Sequence, residues 1–375
     1  MEFNTIAIHT GQTRDVKTGA IIPPLYLSTT FEQSTQDPLK YFYSRGENPT
    51  RENLEECLAA LEGDGQAVCF SSGQAASAAV LSLLGPGDEY ISSNDIYGGT
   101  LSLFESIKKT NNINFKLVDL TQIEELKDAI TEETKLIWIE SPTNPLLKII
   151  DIREISDFIL SLNREIKVVV DNTFASSYLQ KPLDLGADFV LYSTTKYFSG
   201  HADVVGGALI CKQNEYFQRI YNYRTVTGAV PSPFDCFLIH RGIKTLSLRI
   251  DRQVQNAKLV VEFLLRSNKV LQVIYPGLET HPQYNICTQQ MKQPGAIISF
   301  KYKGDVNELM YNLKYFHCAV SLGAVNSLIE CPYTMTHRNL SVDSKKSLGL
   351  SNDIVRLSVG TEDFNDLKED LSRFL

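Results

Sequence analysis

Residues 187–207 read ADFVLYSTTKYFSGHADVVGG. An apolar-rich run, Asp188 to Tyr192, gives way to hydroxyls, one lysine, aromatics and glycines. The run is too short for a helix and rich in aromatic and β-branched residues, which predicts a buried strand. Upstream, IKVVVDN (166–172) has the same form and ends on Asp171. GQAVCFS (65–71), DEYISS (88–93), FKLVDL (115–120) and TKLIWIE (134–140) repeat it. Helical patterns separate these runs: GQAASAAVLSLL (73–84), GTLSLFESIKK (99–109), TQIEELKDAI (121–130) and IREISDFILSL (152–162). Strands alternating with helices predict an α/β fold with a mostly parallel central sheet covered on both faces.

The flanks behave differently. The first sixty or so residues are turn-rich, with IIPPLYLSTTF (21–31) and YSRGENPTR (43–51), and read as an extended N-terminal arm. Residues 242–265 form one long amphipathic pattern, beyond which strands and helices mix. The expected organisation is an arm over 1–60, an α/β domain over 61–245, and a smaller α+β C-terminal domain over 246–375. No internal repeat or low-complexity segment interrupts it.

Composition narrows the function. The chain has 375 residues, 43% hydrophobic and 21% charged, enough for a large core. Its formal net charge of -8 argues against nucleic acid and anionic membrane as partners and favours small molecules. The N-terminus MEFNTIAIHTGQ lacks a basic segment followed by an apolar core, and no apolar stretch is long enough to span a bilayer. Seven scattered cysteines without a CxxC pair fit a reducing cytoplasm. Neither they nor the six histidines show the spacing of a metal site.

In an open α/β sheet, ligands gather at the carboxyl ends of the strands. Asp171 ends one predicted strand; Ser193, Thr195 and Lys196 follow the next; Ser71, Ser72 and Gly73 lie where a strand turns into a helix. Each has an ordinary reading. Asp171 suits a cap or a turn, Lys196 a snorkelling side chain, and Gly-Ser helix starts occur without ligands. Together they supply an anion cradle, a buried carboxylate and a lysine at successive strand ends. Pyridoxal 5'-phosphate (PLP) needs all three: donors for its phosphate, an acid to keep its ring nitrogen protonated, and a lysine for a Schiff base with its aldehyde.

The motifs YSRGENPTR, SSGQAA, DIYGGT, ESPTNP, VVDNTF, STTKYFSGHADVVGG, GAVPSP, RGIKTLSLR, YPGL, TMTH and RLSVGTED occur in that order. The ordered set resembles the Cys/Met-metabolism family of PLP enzymes from about residue 7 to the C-terminus. That family includes cystathionine γ-synthase, cystathionine β- and γ-lyases and methionine γ-lyase; the chain is most similar to a bacterial-type cystathionine lyase. The resemblance implies a PLP-dependent transferase-like fold of the aspartate aminotransferase type (fold type I). It implies Lys196 as the Schiff-base lysine, Asp171 at the ring nitrogen with Thr173 beside it, and Tyr97 stacked on the ring. Gly73, Gln74, Ser193 and Thr195 would hold the phosphate, and Asn144 would lie near the ring hydroxyl. Tyr43 and Arg45 would reach the phosphate of a neighbouring subunit in a homotetramer built of two active-site dimers. Arg356 would bind the substrate carboxylate, and Ser321 would lie near Lys196 and that carboxylate. Tyr97 would also assist proton transfer.

The substrate end departs from the pattern. Val320 stands where many γ-acting relatives have Glu, and Ser102 where γ-lyases often have a basic residue. Val320 matches methionine γ-lyases, but Gly99 replaces their usual Cys. Arg224 offers a replacement charge or a surface residue. The implied activity is a cytoplasmic C–S lyase acting on cystathionine. Cleavage at Cβ would release homocysteine, pyruvate and ammonia; cleavage at Cγ would release cysteine, 2-oxobutyrate and ammonia. Gamma-replacement, methionine γ-cleavage and a non-catalytic PLP-binding regulator are the alternatives.

Overall fold

The computed structural model describes residues 1–34, 39–63 and 65–375. Seven strands form the central sheet: β1 (Gln66–Phe70), β2 (Glu89–Ser93), β3 (Asn114–Val118), β4 (Thr134–Glu140), β5 (Lys167–Asp171), β6 (Phe189–Tyr192) and β7 (Gly207–Cys211). Their spatial order is β1-β7-β6-β5-β4-β2-β3. Strands β3, β2, β4, β5 and β6 run parallel, and β7 pairs antiparallel with both β6 and β1. The sheet is therefore mostly parallel, as the alternation predicts.

Pleating explains why these runs are apolar throughout. Ile137 and Ile139 of β4 and Val168 and Val170 of β5 enter the core on one face. Trp138 and Val169, one residue out of phase, enter the core on the other. A strand buried on both faces has no polar side to show. Strand β7 went unread for a related reason. GALIC (207–211) is buried at every position and follows β6 through a loop rather than a crossover helix, so neither alternation nor a helix announces it.

The first sixty residues are not extended throughout. Phe3–His9 is helical, and Pro49–Glu62 is a second helix. Asn48 caps the latter, its Oδ1 accepting the N–H groups of Thr50 at 3.0 Å and Arg51 at 3.3 Å, with Pro49 at the first helical position. Leu54, Cys57, Leu58 and Leu61 carry this helix into the main core. The arm proper is the stretch between the two helices, where Ile21, Leu27 and Phe42 stand exposed.

The C-terminal part holds a second sheet: β8 (Val270–Ile274), β9 (Ile297–Tyr302), β10 (His317–Cys318), β11 (Leu328–Glu330) and β12 (Ile354–Ser358), in the order β10-β11-β12-β9-β8. The long amphipathic pattern is the 19-residue helix Leu246–Leu264. Two polar residues on its buried face serve the loops near the site. Gln253 donates to the Ala324 carbonyl at 2.7 Å, and Asn256 to the carbonyls of Gly360 at 3.0 Å and Glu362 at 2.8 Å. Among the described residues, no helix is long and apolar enough to cross a membrane.

Candidate active site

The carboxyl ends of β4, β5 and β6 open on a cavity of about 260 Å³, closed from the other side by Arg356 of β12 and by loop residues of the C-terminal part. Lys196, Asp171, Tyr97, Gly73, Gln74, Asn144, Thr173, Ser193, Thr195, Val320, Ser321 and Arg356 all line it. Tyr43 and Arg45 do not. They lie on the arm with the Arg45 guanidinium 5.6 Å from the Tyr43 ring centre and its Nη1 donating to the Thr225 carbonyl at 2.9 Å.

The helix Gly73–Leu81 points its N-terminus into the cavity. Ser72 caps it by accepting the Ala75 N–H at 3.1 Å. Among the described residues, the N–H groups of Gly73 and Gln74 meet no acceptor. A Cβ at position 73 would lie 3.0 Å from that of Ser193, so glycine lets the two strand ends converge. Thr173 joins the rows, its hydroxyl accepting the Ser193 N–H at 2.9 Å. The Thr195 hydroxyl exchanges hydrogen bonds with the Gly206 backbone at 3.0 and 3.2 Å.

Asp171 accepts the Thr173 N–H at 3.1 Å. Burial raises its carboxyl to about 6, against the lowering pull of the Thr173 hydrogen bonds and the Lys196 charge. Lys196 follows β6 in a turn closed by its own N–H on the Ser193 carbonyl at 3.1 Å. Its Nζ lies 2.8 Å from the Ser321 hydroxyl. Burial, then the positive charge of Arg356, lowers the amine to about 8.

Arg356 is 2% exposed and almost fully engaged. Nη1 meets Glu330 at 2.9 Å and Asn144 Oδ1 at 2.9 Å, and Nη2 meets the Ser321 carbonyl at 2.8 Å. Nε is buried and without a partner. The free edge of the guanidinium is thus the Nε–Nη2 side. Glu330 holds its place because β11 and β12 pair antiparallel with Glu330 opposite Arg356. Thr336 bridges onward, donating to Glu330 at 3.0 Å beside His337, which burial lowers to about 4.

Tyr97 precedes the helix Gly98–Asn111, and its N–H donates to Glu140 Oε2 at 3.0 Å. A side chain at Gly99 would collide with the Tyr97 ring, so glycine there permits the ring its position. Val320 is 52% exposed and Val205 62% exposed where they line the cavity, an apolar edge without a charged group.

Glu140 and Glu330 escaped the sequence reading. Glu140 ends the predicted strand TKLIWIE, so the strand-end rule that selects Asp171 selects it too. Glu330 is visible only through cross-strand register. Arg224 is neither a substrate handle nor a surface residue. It is 1% exposed, ion-paired with Glu55 and donating to the Gly46 carbonyl at 3.0 Å. The Ser102 hydroxyl turns back to the Gly98 carbonyl at 3.0 Å.

The family model described as Cys/Met metabolism PLP-dependent enzyme matches residues 4–375. A cystathionine gamma-lyase of Dictyostelium discoideum is 46% identical over 379 residues, spanning 100% of this chain and 97% of that protein. A cystathionine beta-lyase of Lactococcus lactis subsp. cremoris is 44% identical over 376 residues, spanning 100% and 98%. Among solved structures, the cystathione gamma lyase CalE6 of Micromonospora echinospora matches with a TM-score of 0.96 at 49% identity, covering 100% of this chain and 98% of that one.

Proposed function

The chain belongs to the Cys/Met-metabolism family of PLP-dependent enzymes, and from that premise we propose how its residues divide the work of a carbon–sulfur lyase. The protein takes a small amino-acid substrate, cystathionine, and releases a thiol amino acid, ammonia and a 2-oxo acid. The cavity suits the cofactor. It holds two unsatisfied N–H groups at a helix N-terminus, a Gly73 that leaves room beside Ser193, and a buried acid and amine on neighbouring strand ends.

The bound cofactor supplies an electron sink that acidifies the proton on the substrate's α-carbon. Gly73, Gln74, Ser193 and Thr195 hold its phosphate, the helix dipole adding to the hydrogen bonds. Asp171 keeps the ring nitrogen protonated, with Thr173 steadying the carboxylate. The Asn144 carbonyl oxygen is taken by Arg356, which leaves its amide N–H groups for the ring hydroxyl. Tyr97, on the cavity wall, would pack its ring on the cofactor and assist proton transfer. Lys196 would hold the cofactor's aldehyde, and its amine, when free, would take the proton from the substrate's α-carbon. An amine lowered toward 8 is in part neutral at physiological pH, which this step requires. Arg356 binds the substrate carboxylate through its open Nε–Nη2 edge, in a two-point grip.

The observation that carries the reading is the meeting of Lys196, Asp171 and Arg356 in one cavity. The test is incubation of the purified protein with cystathionine, resolving pyruvate from 2-oxobutyrate. Borohydride reduction should label Lys196. Label elsewhere, or no 2-oxo acid, sinks the assignment. The uncharged edge at Val320 and Val205 favours one second reading, cleavage of methionine at Cγ, decided by a parallel incubation with methionine that measures methanethiol and 2-oxobutyrate.

Our reading of the assembly is a homotetramer of two active-site dimers in the cytoplasm, with Tyr43 and Arg45 completing the phosphate site of the neighbouring subunit. Its support is that neither residue lines its own subunit's cavity, and that the arm carrying them exposes apolar residues. Residues 1–60, 61–245 and 246–375 are the arm, cofactor and C-terminal units of this reading.

A further inference from the structure

We propose that Glu140 is a positioning residue of this site: a neutral carboxylic acid that holds Tyr97 by its backbone amide and leaves Asp171 as the ionised carboxylate for the cofactor's ring nitrogen. The proposal rests on the lyase reading of the cavity. Strands β4 and β5 run parallel with Glu140 directly beside Asp171, so both side chains leave the sheet on one face, and both line the cavity. Two carboxylates so placed, away from bulk water, do not both ionise. The surroundings decide which gives way. Asp171 accepts the Thr173 N–H and faces the Lys196 cation. Glu140 faces two acids, Asp171 and, from the loop after β2, Asp95, whose own carboxylate takes the Thr143 hydroxyl at 2.5 Å and the Leu146 N–H at 3.1 Å. Of the cavity's cations, Arg356 is already paired with Glu330, and Lys196 is bonded to Ser321. Glu140 Oε1 is buried with no partner, a place that tolerates a neutral acid far better than a charge. Burial and the Asp171 charge accordingly raise Glu140 well above the usual carboxylate range.

Its task is visible in its bonds. Oε2 accepts the Tyr97 N–H at 3.0 Å, at the residue whose ring covers the cofactor. That one bond ties the end of β4 to the Tyr97 loop on the cavity's rim.

The test uses the holoenzyme and the variants Glu140→Gln and Glu140→Ala. Two readouts do not depend on turnover. One is the pH titration of the bound cofactor's absorbance. The other is cofactor affinity, followed by quenching of Trp138, the single tryptophan, which lies in β4 two residues before Glu140. Glutamine has the charge and acceptor of a neutral acid, so Glu140→Gln should leave the titration midpoint within about 0.3 pH units of wild type. Glu140→Ala strands the Tyr97 amide, and cofactor affinity should fall on the order of tenfold. A Glu140→Gln midpoint displaced by about one unit or more would show an ionised Glu140 and overturn the proposal. Unchanged affinity in Glu140→Ala overturns the positioning role. A wild-type protein without a cofactor band fails the lyase reading itself, a result distinct from either. Glu140→Gln is isosteric, so the charge question remains readable even where the alanine variant unfolds.

Discussion

Ser321 is bonded to Lys196 through its hydroxyl, 2.8 Å from Nζ, while its backbone sits at φ 94°. A non-glycine residue in that region stores roughly 1–3 kcal/mol of strain. The strained backbone places the Ser321 carbonyl 2.8 Å from Arg356 Nη2, so one residue faces both the reacting amine and the carboxylate-binding cation. Two substitutions separate the roles. Ser321→Gly should raise the melting temperature of the apoprotein, because glycine occupies this φ without strain. Ser321→Ala should not. Both should lower kcat/KM, on the order of tenfold, by freeing the Lys196 amine from its hydrogen bond to Ser321. A glycine variant less stable than the alanine variant sinks the strain argument.

Lys196 gives the apoprotein a pH dependence of definite sign. Burial holds the amine near 8, below its ordinary 10.5. Between those values the unfolded chain binds a proton that the folded chain has lost, so stability rises as pH climbs from about 8 toward 10.5. Below about 8 the penalty is complete, up to ~3 kcal/mol. Apoprotein Lys196→Met should therefore unfold at higher denaturant than wild type at pH 7, with the gap closing above pH 8. A gap constant between pH 6 and 10 would refute the depressed amine.

Most of the central sheet was legible in the sequence, and with it the strand ends that line the cavity. Asp171 and Lys196 each have an ordinary use taken singly, and stand out only because they fall, with Ser72 and Gly73, at strand ends of one sheet. Strand β7 stayed hidden because a strand buried on both faces has no periodicity to separate it from the glycine-rich loop before it. Glu330 stayed hidden because its partner lies across two strands that the sequence separates widely. The helix Pro49–Glu62 has a sound start in Asn48-Pro49, but it follows directly on a turn-rich stretch that masks it. Arg224 illustrates the converse: its motif neighbourhood suggested substrate, and only burial beside Glu55 shows a structural tie.

The pair of Arg356 and Glu330 makes a prediction of its own. Both are nearly inaccessible, and their contact is 2.9 Å. Removing one member of a buried pair leaves an uncompensated charge at a cost of about 3–5 kcal/mol. Glu330→Ala should destabilise the fold on that scale. Glu330→Gln keeps the shape, and with Asn144 and Ser321 still in place it should act chiefly on KM, because the guanidinium that grips the substrate carboxylate is less firmly held. A Glu330→Gln variant with unchanged KM and lowered kcat would place Glu330 in the chemistry instead.

The arm poses the question of whose site Arg45 serves. If Arg45 reaches the phosphate of a neighbouring subunit, its loss and the loss of Lys196 damage different sites in a mixed dimer. A subunit carrying Lys196→Ala still lends an intact Arg45, and a subunit carrying Arg45→Ala still owns an intact Lys196. Their hybrid contains one whole site and one doubly defective site. Random reassembly of equal amounts makes half the dimers hybrid, so activity should recover to about a quarter of the wild-type value from two weak parents. If Arg45 serves its own subunit, no hybrid contains a whole site, and mixing recovers nothing. The arm explains why the exchange is feasible: Tyr43 is 43% exposed and Arg45 is tied to the protein by a bond to Thr225, so the pair is presented outward rather than folded into the core.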